Sequence, residues 1–183
     1  MTKTSFGQML QELAEKHHHT SDDGKHTCGF HPESLIVHLF AAMTYAYGNV
    51  PKEYTSHEKF ICCLTALLHD IGKVSCAGTV TIEHEKKYFT KFPFHGEMGS
   101  MILQRAFNTA FSNFLSKEEY EAMCRAICVH MCGYHDTDAM NSQTQYKWNL
   151  LSKESDLVKQ ILLPLSLADT FAAFGNSEEQ IQQ

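Results

Sequence analysis

The chain has no run of about 18 apolar residues, the length a bilayer crossing demands, so the sequence predicts no transmembrane helix. Its first residues, Met-Thr-Lys-Thr-Ser-Phe-Gly-Gln, lack the apolar stretch of a signal peptide, and the expectation is a soluble, cytoplasmic protein. Positive charge is also scarce. With a formal net charge of −6, the chain does not encode a global grip on a nucleic-acid backbone, which depends on neutralising many phosphates. There is no P-loop, no Gly-x-Gly-x-x-Gly fingerprint and no Ser, His, Asp triad pattern, so the familiar phosphate cradles and acyl-transfer sites are excluded. Internal repeats and linkers are absent too. Seven cysteines leave one without a partner, and Cys62, Cys63, Cys124 and Cys128 fall on apolar helix faces, where free thiols behave as small hydrophobes. That pattern fits a reducing compartment.

Histidine is the residue present in excess, with 12 in 183 positions. At that length, with 43% hydrophobic and 20% charged residues, the chain can bury one good core, which predicts a single domain over residues 1–183. The pattern is helical throughout. Residues 4–16 align Phe6, Met9, Leu10, Leu13 and Ala14 on one stripe, and a polar loop containing His17, His18 and His19 follows. Helices are then expected from Glu33 to Tyr47, where Gly48 ends the run, and from Ser56 to His69. Between Lys73 and Pro93 the sequence predicts a loop or short hairpin over a pocket. Further helices are expected from His95 to about Phe111, from Lys117 to His130 behind a Ser116 to Glu119 capping box, and from Glu154 to Phe174 around Pro164. Residues 133–152 read as a second pocket-covering loop.

The organising stretch is Leu67-Leu68-His69-Asp70-Ile71-Gly72-Lys73. From Phe60 to Leu68 nearly every side chain is apolar, which reads as a helix buried on all sides, and an imidazole and a carboxylate stand at its exit. A buried carboxylate needs a cation, hydrogen bonds or a route to water, so Asp70 asks for a partner, and a metal ion would answer. Gly72 reads as a helix stop that turns the backbone away and leaves His69 and Asp70 at the mouth of a pocket, with Lys73 beside any bound anion. Each remaining helix offers one more ligand: His38, His95, His130 and Asp169. Cys124, Cys128 and Cys132 recur every four residues, but no compact four-ligand thiolate set closes around them, and core packing accounts for them.

The His69-Asp70 dyad with its Ile-Gly-Lys continuation resembles the signature of the HD-domain phosphohydrolases, over roughly residues 31–174. His38, in Val-His-Leu-Phe-Ala-Ala, is similar to the family's first histidine, and Asp169 is similar to its closing Ala-Asp. The resemblance implies an all-α helical bundle in which His38, His69, Asp70 and Asp169 hold one metal. His95-Gly-Glu-Met-Gly-Ser resembles the His-x-x-x-Gly-(Ala/Ser) element of HD proteins with two metals, and His130 resembles their next histidine, which makes Asp70 the natural bridge. Gly133-Tyr134 is not followed by proline, so the chain departs from the HD-GYP subgroup.

The mixed nitrogen and oxygen shell suits two divalent transition-metal ions, Mn, Fe, Co, Ni or Zn, better than calcium or magnesium. The activity implied is hydrolysis of a phosphate ester or anhydride of a small nucleotide, with Asp70 and Lys73 catalytic. Substrate contacts are expected from Lys73, from Lys87 and Lys91 in the covering loop, and from Tyr134 and His135 in the second loop. A nucleic-acid end is a less favoured substrate, and no membrane partner is expected. The same ligand order occurs in mixed-valent di-iron oxygenases of the superfamily, and a non-catalytic nucleotide-binding HD domain is the third reading.

Overall fold

The computed structural model describes residues 35–76, 80–84, 87–92, 94–133 and 152–174, which form an all-α bundle. The helix expected over 4–16, the run His17 to His19, and Tyr134 and His135 lie outside these residues. Among the described residues five helices carry the fold: α1 (Leu35–Asn49), α2 (Ser56–Leu68), α3 (His95–Gln104), α4 (Lys117–Val129) and α5 (Asp156–Phe174). An antiparallel hairpin, β1 (Val80–His84) with β2 (Lys87–Lys91), leads into α3, and its register pairs Val80 with Lys91 and His84 with Lys87. Among the described residues no helix is long and apolar enough to cross a membrane.

Local chemistry sets the helix starts. Ser116 accepts from the Glu119 amide while the Glu119 carboxylate accepts from the Ser116 amide, the capping box expected for α4. The same arrangement begins α2, where Thr55 and Glu58 cap each other. The Ser155 hydroxyl accepts from the Val158 amide at the start of α5. The entry to α5 is tied to α4 by a forked Arg125 to Glu154 pair, with Nε to Oε1 at 2.9 Å. Two expectations about helix ends fail: α1 runs through Gly48 to Asn49, and α3 stops at Gln104, after which Phe107–Phe111 forms a wide π-type turn. The turn is held by packing. Phe107 and Phe111 lie 4.9 and 5.2 Å from the Tyr120 ring, whose hydroxyl donates to the Leu103 carbonyl, which also accepts from the Ala106 amide at 2.7 Å. Pro164 lies inside an unbroken α5.

One core joins the inner faces. Leu35, Leu39, Ala42 and Ala46 of α1 meet Ile161, Leu165, Ala168 and Ala172 of α5. Ile61, Ala66 and Leu68 of α2 and Met123, Ala126 and Ile127 of α4 complete it. The run Phe60 to Leu68 is not buried on all sides. Phe60 is 43% exposed and Cys63, Leu64 and Leu67 are only half-buried, because α2 packs against α1, α4 and α5 and leaves its remaining face to solvent. Cys62 and Cys124 are core residues, and burial pushes the Cys62 thiol up to about 12 and the Cys124 thiol up to about 11, while Cys63 and Cys128 are half-buried against the core.

Candidate metal centre

Six polar side chains meet inside the bundle. His38 comes from α1, His69 and Asp70 from the end of α2, His95 from the first residue of α3, His130 from the end of α4 and Asp169 from α5. All are buried, from 0% exposure for His38 and His69 to 8% for His95. All six ligands expected from the sequence are therefore in one place.

Three of the histidines share a local device. His69 Nδ1 donates to the Ala66 carbonyl at 2.7 Å, His95 Nδ1 to Phe92 at 2.6 Å and His130 Nδ1 to Ile127 at 2.6 Å, each three residues back. For His69 and His130 this follows from their position at a helix C-terminus, where the last carbonyls have no amide partner in the helix and a side-chain donor can take one. The consequence is chemical. With hydrogen fixed on Nδ1, each ring turns Nε2 toward the cluster, and in its neutral form it would offer there the lone pair a metal ion requires.

The Nε2 atoms converge on carboxylate oxygens. His38 Nε2 is 3.0 Å from Asp169 Oδ1 and 3.8 Å from Asp70 Oδ2, and His69 Nε2 is 3.3 Å from Asp169 Oδ1 and 3.4 Å from Asp70 Oδ2. On the other side of the same carboxylate, Asp70 Oδ1 lies 3.2 Å from His95 Nε2 and 3.6 Å from His130 Nε2. Each oxygen of Asp70 thus faces its own histidine pair. His95 and His130 bring their Nε2 atoms within 3.2 Å of each other. With both Nδ1 hydrogens committed elsewhere, the two Nε2 atoms need a proton or a cation between them, and a shared metal ion would serve. Ligand atoms at about 2.1 Å from one ion lie roughly 3.0–3.4 Å apart, the spacing found here except for His38 and His130 to Asp70, at 3.8 and 3.6 Å. His69 Nε2 is buried and makes no hydrogen bond of its own, although two carboxylate oxygens lie beside it. The donor set fits a metal ion: the triads His38, His69, Asp70; His69, His130, Asp169; and Asp70, His95, His130 each bring their ligand atoms within 4.8 Å of one another. No such group among the described residues includes a cysteine.

Lys73 lies within this cluster. Its Nζ is 2.5 Å from Asp70 Oδ2 and 5.5 Å from the centre of the Phe92 ring, and the residue is 7% exposed. The sequence placed the dyad at an open mouth with Lys73 free to meet an anion. The structure instead covers His69 and Asp70, which are 0% and 2% exposed, and pairs Lys73 with the Asp70 carboxylate. Gly72 is the reason. It does not turn the chain away, because the short helical turn Ile71–Val74 packs directly on α3, where a Cβ at Gly72 would run into the His95 carbonyl oxygen. Gly96 repeats this one step further, with its Cα facing the Ile127 and Cys128 carbonyls of α4. These close approaches bring Asp70, His95 and His130 together, and glycine permits them because it has no side chain to exclude. Lys87 and Lys91 fall on β2, ahead of His95.

Electrostatics assigns the proton. Burial alone would push the His69 imidazolium down, but Asp70 and Asp169 reverse this and raise it to about 10. Burial also opposes a charge on Asp169, yet cationic His69 and the bond from His38 hold its carboxyl well below the ordinary range. His130 goes the other way: burial pushes it down, and the neighbouring His69 charge adds to that although Asp70 pulls it up. So His69 carries a proton that metal binding must expel. Metal affinity is expected to fall as pH falls, by about tenfold per unit for one released proton below the His69 value. Calorimetry in two buffers of different ionisation enthalpy should count about one proton released. In chelator, the sign for folding is opposite. Because His69 is raised above its ordinary 6.5, its contribution to stability is fully present below pH 6.5 and is lost as pH climbs through about 10. The chelated protein should therefore lose thermal stability above neutrality, while the metal-loaded protein gains it; parallel pH profiles would contradict the assignment.

No protein-family model, curated protein or solved structure matches the chain. What the fold and the site define is an all-α protein with a buried histidine and aspartate cluster able to hold metal.

Proposed function

We propose that the protein is a metal-dependent phosphohydrolase of the HD-domain type, acting on a phosphate ester or anhydride of a small nucleotide with two divalent transition-metal ions. The observation that carries this reading is the Asp70 carboxylate, whose Oδ2 faces His38 and His69 while its Oδ1 faces His95 and His130. His38, His69 and Asp169 would hold one ion, His95 and His130 the other, with Asp70 common to both. Such ions supply Lewis-acid polarisation of a phosphoryl oxygen and a water acidic enough to attack at neutral pH. The choice among Mn, Fe, Co, Ni and Zn follows from the nitrogen-rich donor set.

The chain's own residues do the rest. The hydrogen bonds from Nδ1 of His69, His95 and His130 fix the rings before substrate arrives, so little reorganisation remains at the moment of reaction. Lys73 adds a cation beside Asp70, in a site from which water is largely excluded, where it would oppose the charge that develops on a transferring phosphoryl group. His95 and Lys73 are the most exposed members of the cluster, so substrate approach is assigned to their side. Lys87 and Lys91, with Tyr134 and His135, are proposed to contact the nucleotide.

Replacing Lys73 by alanine is expected to lower turnover ~10- to 1000-fold without loss of metal, the range of one transition-state charge contact. Full turnover in that variant would remove Lys73 from the mechanism. The reading itself is tested under argon with a nucleotide panel and manganese. Phosphate release there supports hydrolysis; activity that needs ferrous iron and oxygen would identify an oxygenase, and nucleotide binding without turnover a non-catalytic domain.

A further inference from the structure

The solvent faces of α1 and α5 carry an apolar surface for which the metal centre has no use. On α1, Val37, Phe40 and Tyr47 are 50%, 51% and 76% exposed; on α5, Leu163, Leu167 and Phe171 recur every fourth residue and are 62%, 45% and 48% exposed. The Tyr45 and Phe171 rings stack with centroids 5.8 Å apart, which joins the two helix faces into one surface. That surface is also without charge. None of the 15 residues of α1 is acidic or a lysine or arginine, and beyond Lys159 the one charged residue of α5 is the buried Asp169.

Six large apolar side chains, each about half exposed, present roughly 500 Å². This equals the largest patch of an ordinary monomer, and the half-buried Ala41 and Tyr45 and the exposed Thr44 between them extend it toward the ~800 Å² per partner of a standard stable interface. A surface with no charge offers nothing for a charged partner to recognise, but it suits its own copy. Across a twofold axis the same patch meets itself, so apolar rows face apolar rows, and the chain's net charge of −6 stays on the surfaces that remain apart.

We propose that the α1 and α5 face pairs two copies of this chain about a twofold axis. The ligand-bearing sides of α1 and α5, with His38 and Asp169, point into the bundle, so pairing leaves the metal centre intact. Sedimentation equilibrium of the full-length protein over about 1 to 100 µM should show a reversible dimer. Val37→Glu and Leu163→Glu, made separately, should each raise the dissociation constant at least ~10-fold, since each places a like-charged pair in an apolar contact. Leu163→Ser serves as a milder second variant, and far-UV circular dichroism and metal content should be unchanged in all three. A wild-type chain that stays monomeric at about 100 µM overturns the proposal and gives the face to another occupant, such as the amphipathic segment 4–16. A dimer that all three variants leave intact overturns it as well.

Discussion

Asp70→Ala is expected to remove both metal ions and lower kcat/KM by at least ~1000-fold, more than the loss of any one histidine. Each histidine lies against one oxygen of Asp70, whereas Asp70 presents Oδ1 to His95 and His130 and Oδ2 to His38 and His69. The variant should also be less stable when chelated. Asp70 and Asp169 bring two negative charges to a closed site, and Lys73 and the His69 imidazolium bring two positive ones. Removing one carboxylate leaves an excess buried cation, and breaking a buried pair in this way costs on the order of 3–5 kcal/mol. Asp70→Asn, which keeps the shape and one acceptor oxygen, should fold better and still lose the second ion. Elemental analysis and thermal melts check both variants. Retention of two equivalents and full turnover in Asp70→Ala would end the bridge assignment.

Gly72→Ala is expected to be nearly as damaging, although it adds a single methyl group away from any ligand atom. The new Cβ would strike the His95 carbonyl oxygen and lie 2.5 Å from the Gly99 amide nitrogen. Both are backbone atoms, so the turn and α3 must part rather than a side chain give way. Overpacking of this kind costs about 1–3 kcal/mol and more where backbone must shift. At about 2–4 °C per kcal/mol for a chain of this size, the melting temperature should fall by at least ~6 °C. The displacement falls on His95, so the ion assigned to His95 and His130 should be lost first, and the His38, His69, Asp169 side should hold longer. A variant with unchanged melting temperature and metal content would show that the approach is not as tight as described.

The residues of the centre were legible in the sequence for a physical reason. His38, His69, Asp70, His130 and Asp169 interrupt apolar helical runs, where a polar group needs a partner, and His95 opens a periodic segment. Helix starts with a side-chain signal were legible too. The Ser116 to Glu119 box marks the start of α4, and Thr55-Ser-His-Glu58 carries the same signature at the start of α2. What the sequence did not disclose depends on neighbours. Gly72 obeys the local rule for a helix stop, and only the approach of α3 shows that it is a contact point. Lys73 is three residues from Asp70 and pairs with it, but the spacing alone did not separate that from a lysine facing substrate. Periodicity likewise gave α2 an apolar circumference without telling which side would lack a partner.

In the proposed centre the Asp70 carboxylate is shared by two ions. Crystals grown with manganese and measured for anomalous scattering test it most directly. Two peaks are expected, one against His38, His69 and Asp169 and one against His95 and His130, with an oxygen of Asp70 directed at each. A single peak, or a second peak that Asp70 does not touch, would contradict it.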